Sequence, residues 1–519
     1  NEMTMNTDSF IEPEAFTTGA ALVLSILYFL VQFRRTSKIN AKLSSHGPGV
    51  VLPPHVKSYI PFLGSAIEMG KGTRAFIAKY SARLNSPIFT AKIAGNHCLF
   101  IGDPDHVTMV YRYTKYLDDL TVQKTFTRNV LGIVDKADEH ECFYSDGAKQ
   151  INKKLYHKYL FSDEELTKSV GKTQKIFQDL LPNLLDEKCE GEWSKHSLFA
   201  MVREYVFKAS VAPLISEYIA TNQDVEAFRT FDKDIPLMFA EAPAFLTKKA
   251  THAREKLLEN ISNDKFMETG SELTSERKAL INSNQAFIRS TLGVLFASVG
   301  NSTPAVFWTL YHIIADENAL RAIRAEVDGI VKARSGTNAH EEPFALEELD
   351  KMVLTKSAFT EALRLYHGAF TTREVSTDFV FDPKKPGQSK YLIQKGTRIM
   401  AFAATLHHDP DLFHDNLTYK YDRFAPKMDK DGNVKPPEFS KNGKLISEPT
   451  RFFGGGAHLC PGRKFISYEM QALVAVLLIR FDMKLVASSD ESPPQIDYSS
   501  QGVGVSHPDR DPTIMVRLR

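Results

Sequence analysis

The sequence FGGGAHLCPG occupies residues 453–462 and leads into a helical pattern from Arg463 to about Arg480. Its three consecutive glycines allow the backbone to pass close to a flat object and to adopt conformations that a Cβ atom forbids. Cys460 stands just before the predicted helix, where unpaired amide groups and the helix dipole stabilise a thiolate. A thiolate held in this way is the kind of side chain that binds haem iron from one face.

Four further residues stand at fixed distances from the cysteine: Phe453 seven before it, Gly456 four before it, His458 two before it and Gly462 two after it. This pattern resembles the haem-binding signature of the cytochrome P450 family. The resemblance implies that Cys460 is the iron ligand, that haem b is the cofactor, and that Phe453, Gly454, Gly456, His458 and Gly462 surround it. Arginine is commoner than histidine at position 458, so we expect a weaker, pH-dependent contact to a haem propionate there. An inert buried cysteine is the alternative for a lone Cys, and the combined spacing disfavours it.

Composition sets the class of protein. The chain has 519 residues, of which 43% are hydrophobic and 24% charged, as expected for a globular protein with a large core. The net charge of +1 suggests no nucleic-acid partner. The four cysteines show no CxxC spacing, which disfavours a disulfide framework or a zinc site.

Residues 15–33 carry no charge and are just long enough to span a bilayer. Basic residues follow at Arg34, Arg35 and Lys38, so the positive-inside rule places the rest of the chain in the cytosol. A cleaved signal peptide is the alternative, but it prefers a basic start and a shorter apolar run. We expect a luminal segment (1–14), a single transmembrane helix (15–33), a basic and Pro/Gly-rich linker (34–64) and a haem-thiolate catalytic domain (65–519).

Periodicity predicts a mainly α protein with a small β region, which is also what the P450 resemblance implies. Residues 105–330 read as mostly helical, and a hairpin is expected around Gly95-Asn96. Short strands are expected between Phe379 and Ala404. Many P450 relatives clamp a propionate with a Trp and an Arg near residues 146–160. This segment has neither, and its lysines are most simply solvated.

Residues 286–316 form a long apolar stretch in which Arg289 and Pro304 argue against a second membrane span. The resemblance makes this the helix on the oxygen side of the haem, where relatives carry an acid followed by Thr. Gly300 and Asn301 occupy those two positions, and we expect both to line the oxygen site. An amide can position a water molecule but cannot act as an acid. The alternative role for Asn301 is to satisfy the backbone group freed by Pro304.

Glu361 and Arg364 match the Glu-x-x-Arg motif of the family, and their i, i+3 spacing allows them to pair on one helix. The resemblance implies that Arg423 joins them in a buried cluster that stabilises the fold. It also implies that Arg373 binds a haem propionate, a task to which a guanidinium is geometrically suited.

The stretches 300–308 and 502–509 resemble one branch of the family, which contains sterol 7α- and 12α-hydroxylases and prostacyclin synthase. The resemblance implies a monooxygenase of the endoplasmic reticulum membrane that hydroxylates a sterol, terpenoid or fatty acid with electrons from an NADPH-cytochrome reductase. Rearrangement of a lipid peroxide without dioxygen is the second possibility, and a haem-binding sensor without turnover is the third. Phe370, Val503 and Val505 are candidate substrate contacts by motif position alone.

Overall fold

The computed structural model describes residues 43, 45–58, 60, 62–185, 192–334, 341–385, 387–486 and 492–519. Helices dominate, as the periodicity predicts. Those of eight or more residues are α1 (Thr73–Leu84), α2 (Lys136–Phe143), α3 (Asp163–Leu180), α4 (Leu198–Leu214), α5 (Asn222–Lys233), α6 (Lys248–Ser262), α7 (Glu272–Leu280), α8 (Asn284–Val299), α9 (Ser302–Ala315), α10 (Glu317–Lys332), α11 (Val353–Tyr366) and α12 (Arg463–Arg480).

Shorter helices connect these elements at Ala66–Gly70, Met109–Arg112, Leu120–Phe126, Asp146–Gln150, Tyr156–Phe161, Ile235–Phe239, Asp264–Glu268, Leu346–Asp350 and Ala403–His407. Two wider π-helical turns, Thr127–Leu131 and Ile151–Leu155, interrupt the helical segments near the site described below. Such turns occur frequently at functional sites.

The strands are short and lie mostly near the two ends of the chain. They are β1 (Val50–Val51), β2 (Ile88–Ile93), β3 (Asn96–Ile101), β4 (Leu117–Asp118), β5 (Ser194–Ser197), β6 (Phe370–Val375), β7 (Phe379–Phe381), β8 (Lys390–Ile393), β9 (Arg398–Phe402), β10 (Lys427–Met428), β11 (Val434–Lys435), β12 (Ser440–Lys441), β13 (Lys444–Leu445), β14 (Phe481–Leu485) and β15 (Thr513–Leu518).

The largest sheet has the strand order β2-β3-β9-β6-β4, and smaller sheets have the orders β1-β8-β7 and β14-β15-β5. The predicted hairpin is β2–β3, with Ile93 opposite Asn96. Its turn residues are Ala94 and Gly95, both with positive φ, so the turn lies one residue earlier than the sequence suggested. The strands expected between residues 379 and 404 are β7, β8 and β9.

The predicted linker is described only from residue 43 onward, and that part is joined to the sheets. Val50 and Val51 pair in parallel with Lys390 and Tyr391 of β8. The predicted luminal segment and transmembrane helix lie outside the described residues. Within the described ranges, no helix has both the length and the apolar character needed to cross a bilayer.

Helix α9 lies in the centre of the body and is buried along nearly its whole length. Its Trp308 is fully buried, stacks on Tyr366 of α11 at 3.7 Å between ring centroids, and donates its indole N–H to the carbonyl of Ser506 at 2.8 Å. The apolar run that includes α9 is therefore a core element. These contacts also fix the loop at residues 502–508 against the helix that carries the candidate oxygen site.

Candidate active site

The loop at residues 453–462 folds back on itself before α12 begins. The Cys460 N–H donates to the carbonyl of Phe453 at 2.9 Å, which closes the loop. Gly454 and Gly456 have positive φ angles of 79° and 59°. A Cβ atom at Gly454 would lie 2.8 Å from the carbonyl oxygen of His458, so the tight path requires glycine there. Helix α12 begins at Arg463, as predicted.

The environment of the Cys460 thiol has two opposing effects on the pKa of that thiol. The backbone N–H groups of Gly462 and Arg463 at the start of α12 lower its pKa, as the sequence suggested. Burial has the larger effect and raises the pKa of the thiol. The helix N-terminus therefore contributes in the predicted direction, but it does not by itself make Cys460 a thiolate.

Cys460 lines a largely apolar cavity of about 490 Å³. One wall comes from α8 and α9, and it includes Ala297 and Asn301. Both π-helical turns contribute side chains, among them Leu131 and Asn152. The loop at 502–508 closes the cavity with Val503, Gly504 and Val505.

A second, more polar cavity of about 510 Å³ lies beside the first, and both are lined by Thr127, Phe143 and Val503. Arg373 and His458 line this second cavity together, although they come from β6 and from the cysteine loop. Phe370 lines it as well, so all three candidate substrate contacts face one of the two cavities.

Asp119 lies against His458, with 3.0 Å between Asp119 Oδ2 and His458 Nδ1. Local sequence patterns do not predict this partner, because Asp119 belongs to a distant segment without a recognisable motif. The carboxylate orients the imidazole ring. Arg373 donates from Nη1 to the carbonyl of Thr372 at 2.8 Å, which directs its guanidinium along the strand edge.

The helix on the cavity wall is broken at Gly300 and Asn301, between the end of α8 and the start of α9. Asn301 lines the cavity with Cys460, as expected. Its Oδ1 accepts from the N–H of Val505 at 2.9 Å, so the amide fixes the neighbouring loop, and it makes no side-chain capping bond to the start of α9.

Gly300 does not line the Cys460 cavity, contrary to the expectation that it faces the oxygen site. It lines a third cavity of about 30 Å³, together with Asp232 and His507. A Cβ atom at position 300 would lie 2.7 Å from the ring of Phe296. A side chain at this position would therefore have to displace the Phe296 ring.

The buried ion cluster behind the cysteine loop agrees with its prediction. Glu361 accepts from Arg364 Nε at 2.7 Å and Nη2 at 2.8 Å, and from Arg423 Nε at 2.9 Å. Glu361 and Arg364 are both fully buried. Arg364 also donates to the carbonyls of His407 and Asn416, which ties α11 to the segment that precedes the cysteine loop.

The basic residues between 149 and 158 are exposed, which agrees with the simpler interpretation of this segment. Lys149 pairs with Asp146, and Lys158 pairs with Glu276. Asn152 and Tyr156 of the same segment line the Cys460 cavity instead.

These features suit a large flat apolar group with acidic substituents at one edge. A thiol faces one largely apolar cavity, and an arginine and a histidine face the adjoining cavity. The glycine loop lets the backbone approach the group closely, so the residues present fit a haem whose propionates point toward Arg373 and His458.

Comparison with known proteins agrees with this geometry. The family model for cytochrome P450 matches residues 53–510. Cholesterol 7-alpha-monooxygenase of Cricetulus griseus is 27% identical over 522 residues, covering 96% of this chain and 98% of the relative. Prostacyclin synthase of Rattus norvegicus is 25% identical over 493 residues, covering 90% of this chain and 94% of the relative. The structure of retinoic acid-bound cyanobacterial CYP120A1 superposes with a TM-score of 0.63 at 18% identity, covering 91% of this chain and 100% of that one. The chain thus belongs to the cytochrome P450 family and is a monooxygenase with haem b as its cofactor.

Proposed function

We propose that this protein hydroxylates a sterol or a similar hydrophobic lipid, using dioxygen and electrons that an NADPH-cytochrome reductase delivers. In the overall reaction, RH, O₂, NADPH and H⁺ give ROH, H₂O and NADP⁺. The observation that carries the proposal is that Cys460 and Asn301 line one cavity whose other walls are mostly apolar. The similarity to a cholesterol 7-alpha-monooxygenase over nearly the whole chain supports a sterol as the substrate class.

The haem supplies, when bound, the iron chemistry that splits dioxygen and inserts one oxygen atom into a C–H bond. The Cys460 thiolate would hold the iron through its sulfur. Phe453, Gly454, Gly456 and Gly462 shape the loop, whose closure by the Cys460 N–H fixes the position of the sulfur. Arg373 and His458 would bind the propionates, and Asp119 holds the His458 ring in place.

Asn301 keeps the loop at 502–508 against the cavity, because its Oδ1 accepts from the Val505 N–H. Val503 and Val505 are thereby held at the cavity wall, where they exclude water and contact an apolar substrate. Phe370, on the neighbouring strand β6, extends this apolar surface into the second cavity.

We place the enzyme at the endoplasmic reticulum membrane, with the catalytic domain in the cytosol. The uncharged run at residues 15–33 and the basic residues after it support a single anchor. A membrane location also suits a lipid substrate, which partitions into the bilayer.

Rearrangement of a lipid peroxide is the second candidate function. It is favoured by the absence of an acid at Gly300 and by the similarity to prostacyclin synthase. This isomerisation would require neither dioxygen nor electrons.

The two functions are separated by turnover with and without NADPH and reductase. Sterol, terpenoid and fatty-acid substrates are assayed beside lipid hydroperoxides and endoperoxides. Hydroxylated product that appears only with reductase and carries label from ¹⁸O₂ supports the monooxygenase. Rapid rearrangement of a peroxide without any electron donor overturns it in favour of the isomerase.

A further inference from the structure

Asp232 and His507 form a pair behind the break between α8 and α9. Asp232 lies on the last turn of α5, and His507 belongs to the loop at 502–508. Asp232 Oδ2 lies 3.4 Å from His507 Nε2, and the two side chains are only 14% and 25% exposed. A carboxylate and an imidazole at this separation exchange a proton directly or through one water molecule.

The carbonyl of Gly300 faces the His507 ring and supports its protonated form. Pro304 explains why this carbonyl is available, because a residue at that position would normally donate its N–H to the carbonyl four residues earlier, and proline has none. The break in the helix thus turns a backbone acceptor of the cavity wall toward the Asp232–His507 pair.

Asn301 connects this pair to the candidate active site. Its side chain lines both the cavity of Cys460 and the cavity of about 30 Å³ that Asp232 and His507 share. That small cavity is large enough to hold a water molecule, and it has several polar partners for one. Asp497 and Ser499 line its outer end, where Ser499 is exposed.

We propose that Asp232, positioned by His507, is the proton donor that stands in for the acid missing at Gly300, and that a water molecule held by Asn301 carries its proton toward the Cys460 cavity. The proposal rests on the monooxygenase function, in which two electrons and two protons enter the site for each hydroxylation. NADPH oxidation at the reductase releases one proton, so the overall reaction takes up one. The Asp232 carboxyl loses a proton inward, along a water held by the Asn301 amide, and regains one from solvent past Asp497 and Ser499. The charge of the pair is the same after each turnover.

The surrounding charges are compatible with this role. Burial raises the pKa of Asp232 to about 7, while Arg203 of α4 opposes the shift. Burial also lowers the pKa of His507 to about 4, with Arg203 acting in the same direction and Asp497 against it. Lys233 is the other charged residue that lines the small cavity. Asp232 is therefore the member of the pair that gains and loses a proton near neutral pH, where a proton donor works best.

Asp232→Asn tests this role because an amide preserves the shape and polar character of the carboxyl but cannot donate an acidic proton. The matched control is Glu226→Gln on the same helix, where the side chain pairs with Arg229 and is 61% exposed. Infrared difference spectra across neutral pH, recorded with and without haem, report protonation without any turnover. Burial also raises the pKa of Glu469 to about 8, so its carboxyl contributes a carbonyl stretch that every variant keeps. We expect a second such band in the wild type and in Glu226→Gln, which titrates at lower pH than the first and is lost in Asp232→Asn. Persistence of this second band in Asp232→Asn overturns the assignment of the proton to Asp232.

Turnover is then measured on a substrate that the wild type hydroxylates, with haem content and the unfolding midpoint recorded for every variant. We expect Asp232→Asn to lose kcat by on the order of 10²-fold at nearly unchanged KM, and to lose the decline in rate that the wild type shows above about pH 7. If Asp232→Asn keeps a normal kcat and an unchanged pH profile, the Asp232–His507 pair has only a structural role and the proposal is wrong. Failure of the wild type to hydroxylate any substrate refutes the proposed function instead, and the infrared result still decides whether Asp232 holds the proton.

Discussion

Gly504→Ala tests whether the Asn301 side chain holds the loop at 502–508 in place. A Cβ atom at position 504 would lie 1.6 Å from Asn301 Oδ1 and 2.7 Å from its Cγ. Asn301 must therefore rotate away and release the N–H of Val505 that it binds at 2.9 Å. An unpaired buried N–H costs about 1–3 kcal/mol, and overpacking costs a similar amount. We expect Gly504→Ala to lower the free energy of unfolding by about 2–4 kcal/mol.

The same substitution behaves differently once Asn301 is already alanine. In the Asn301→Ala background, the atom that meets the new methyl group is absent and the hydrogen bond is already lost. Gly504→Ala then costs less than about 1 kcal/mol, which makes the two substitutions strongly non-additive. Urea unfolding of the four haem-loaded proteins, followed by circular dichroism, measures this coupling.

Gly329→Ala on α10 serves as the control, because an added Cβ there meets nothing within 4 Å. It is expected to be neutral or to stabilise the protein by up to about 1 kcal/mol. If Gly504→Ala costs the same in both backgrounds to within about 0.5 kcal/mol, the contact with Asn301 does not hold the loop and the reasoning fails.

Three further outcomes follow from the site and its surroundings. Glu361→Gln removes the charge that compensates the buried Arg364, so the chain should lose about 3–5 kcal/mol of stability and retain less haem, which urea unfolding and haem content will show. Arg373→Ala should weaken haem binding about tenfold to a hundredfold and Arg373→Lys by less, as measured by haem transfer to apomyoglobin. If both variants retain haem as well as the wild type does, Arg373 makes no propionate contact. Burial lowers the pKa of His408 to about 4, against about 6.5 in the unfolded chain, so the unfolded state binds more protons between these values. Stability should therefore fall as the pH drops through this window, and His408→Asn should reduce that slope in urea midpoints; an unchanged slope would show that His408 is not the responsible group.

The parts of the site that local sequence patterns determine were predictable. The glycine loop, Cys460 and the helix from Arg463 follow from residue types at adjacent positions. The Glu361–Arg364 pair follows from the three-residue spacing on a helix. In each case, the partners are close together in the chain, so their geometry follows from local structure.

Contacts between distant segments were not predictable from one sequence. Asp119 meets His458, and Asp232 meets His507, only because tertiary packing brings separate segments together. Neither aspartate stands in a recognisable pattern. The location of Gly300 was also misjudged, because the break after α8 turns it away from the Cys460 cavity. Motif alignment identifies the position in the chain but not the direction in which it faces.

The loop at 502–508 has a consequence for the kinetics of folding. Its hydrogen bond to Asn301 joins residues 204 positions apart, and its bond to Trp308 joins residues 198 positions apart. Contacts of this separation carry a large entropic cost of loop closure and form slowly. We therefore expect the cavity wall to assemble after α9 and α12, with the Val505 amide gaining protection from hydrogen exchange late in refolding. Until then, haem would contact the cysteine loop while the cavity wall opposite that loop has not yet formed.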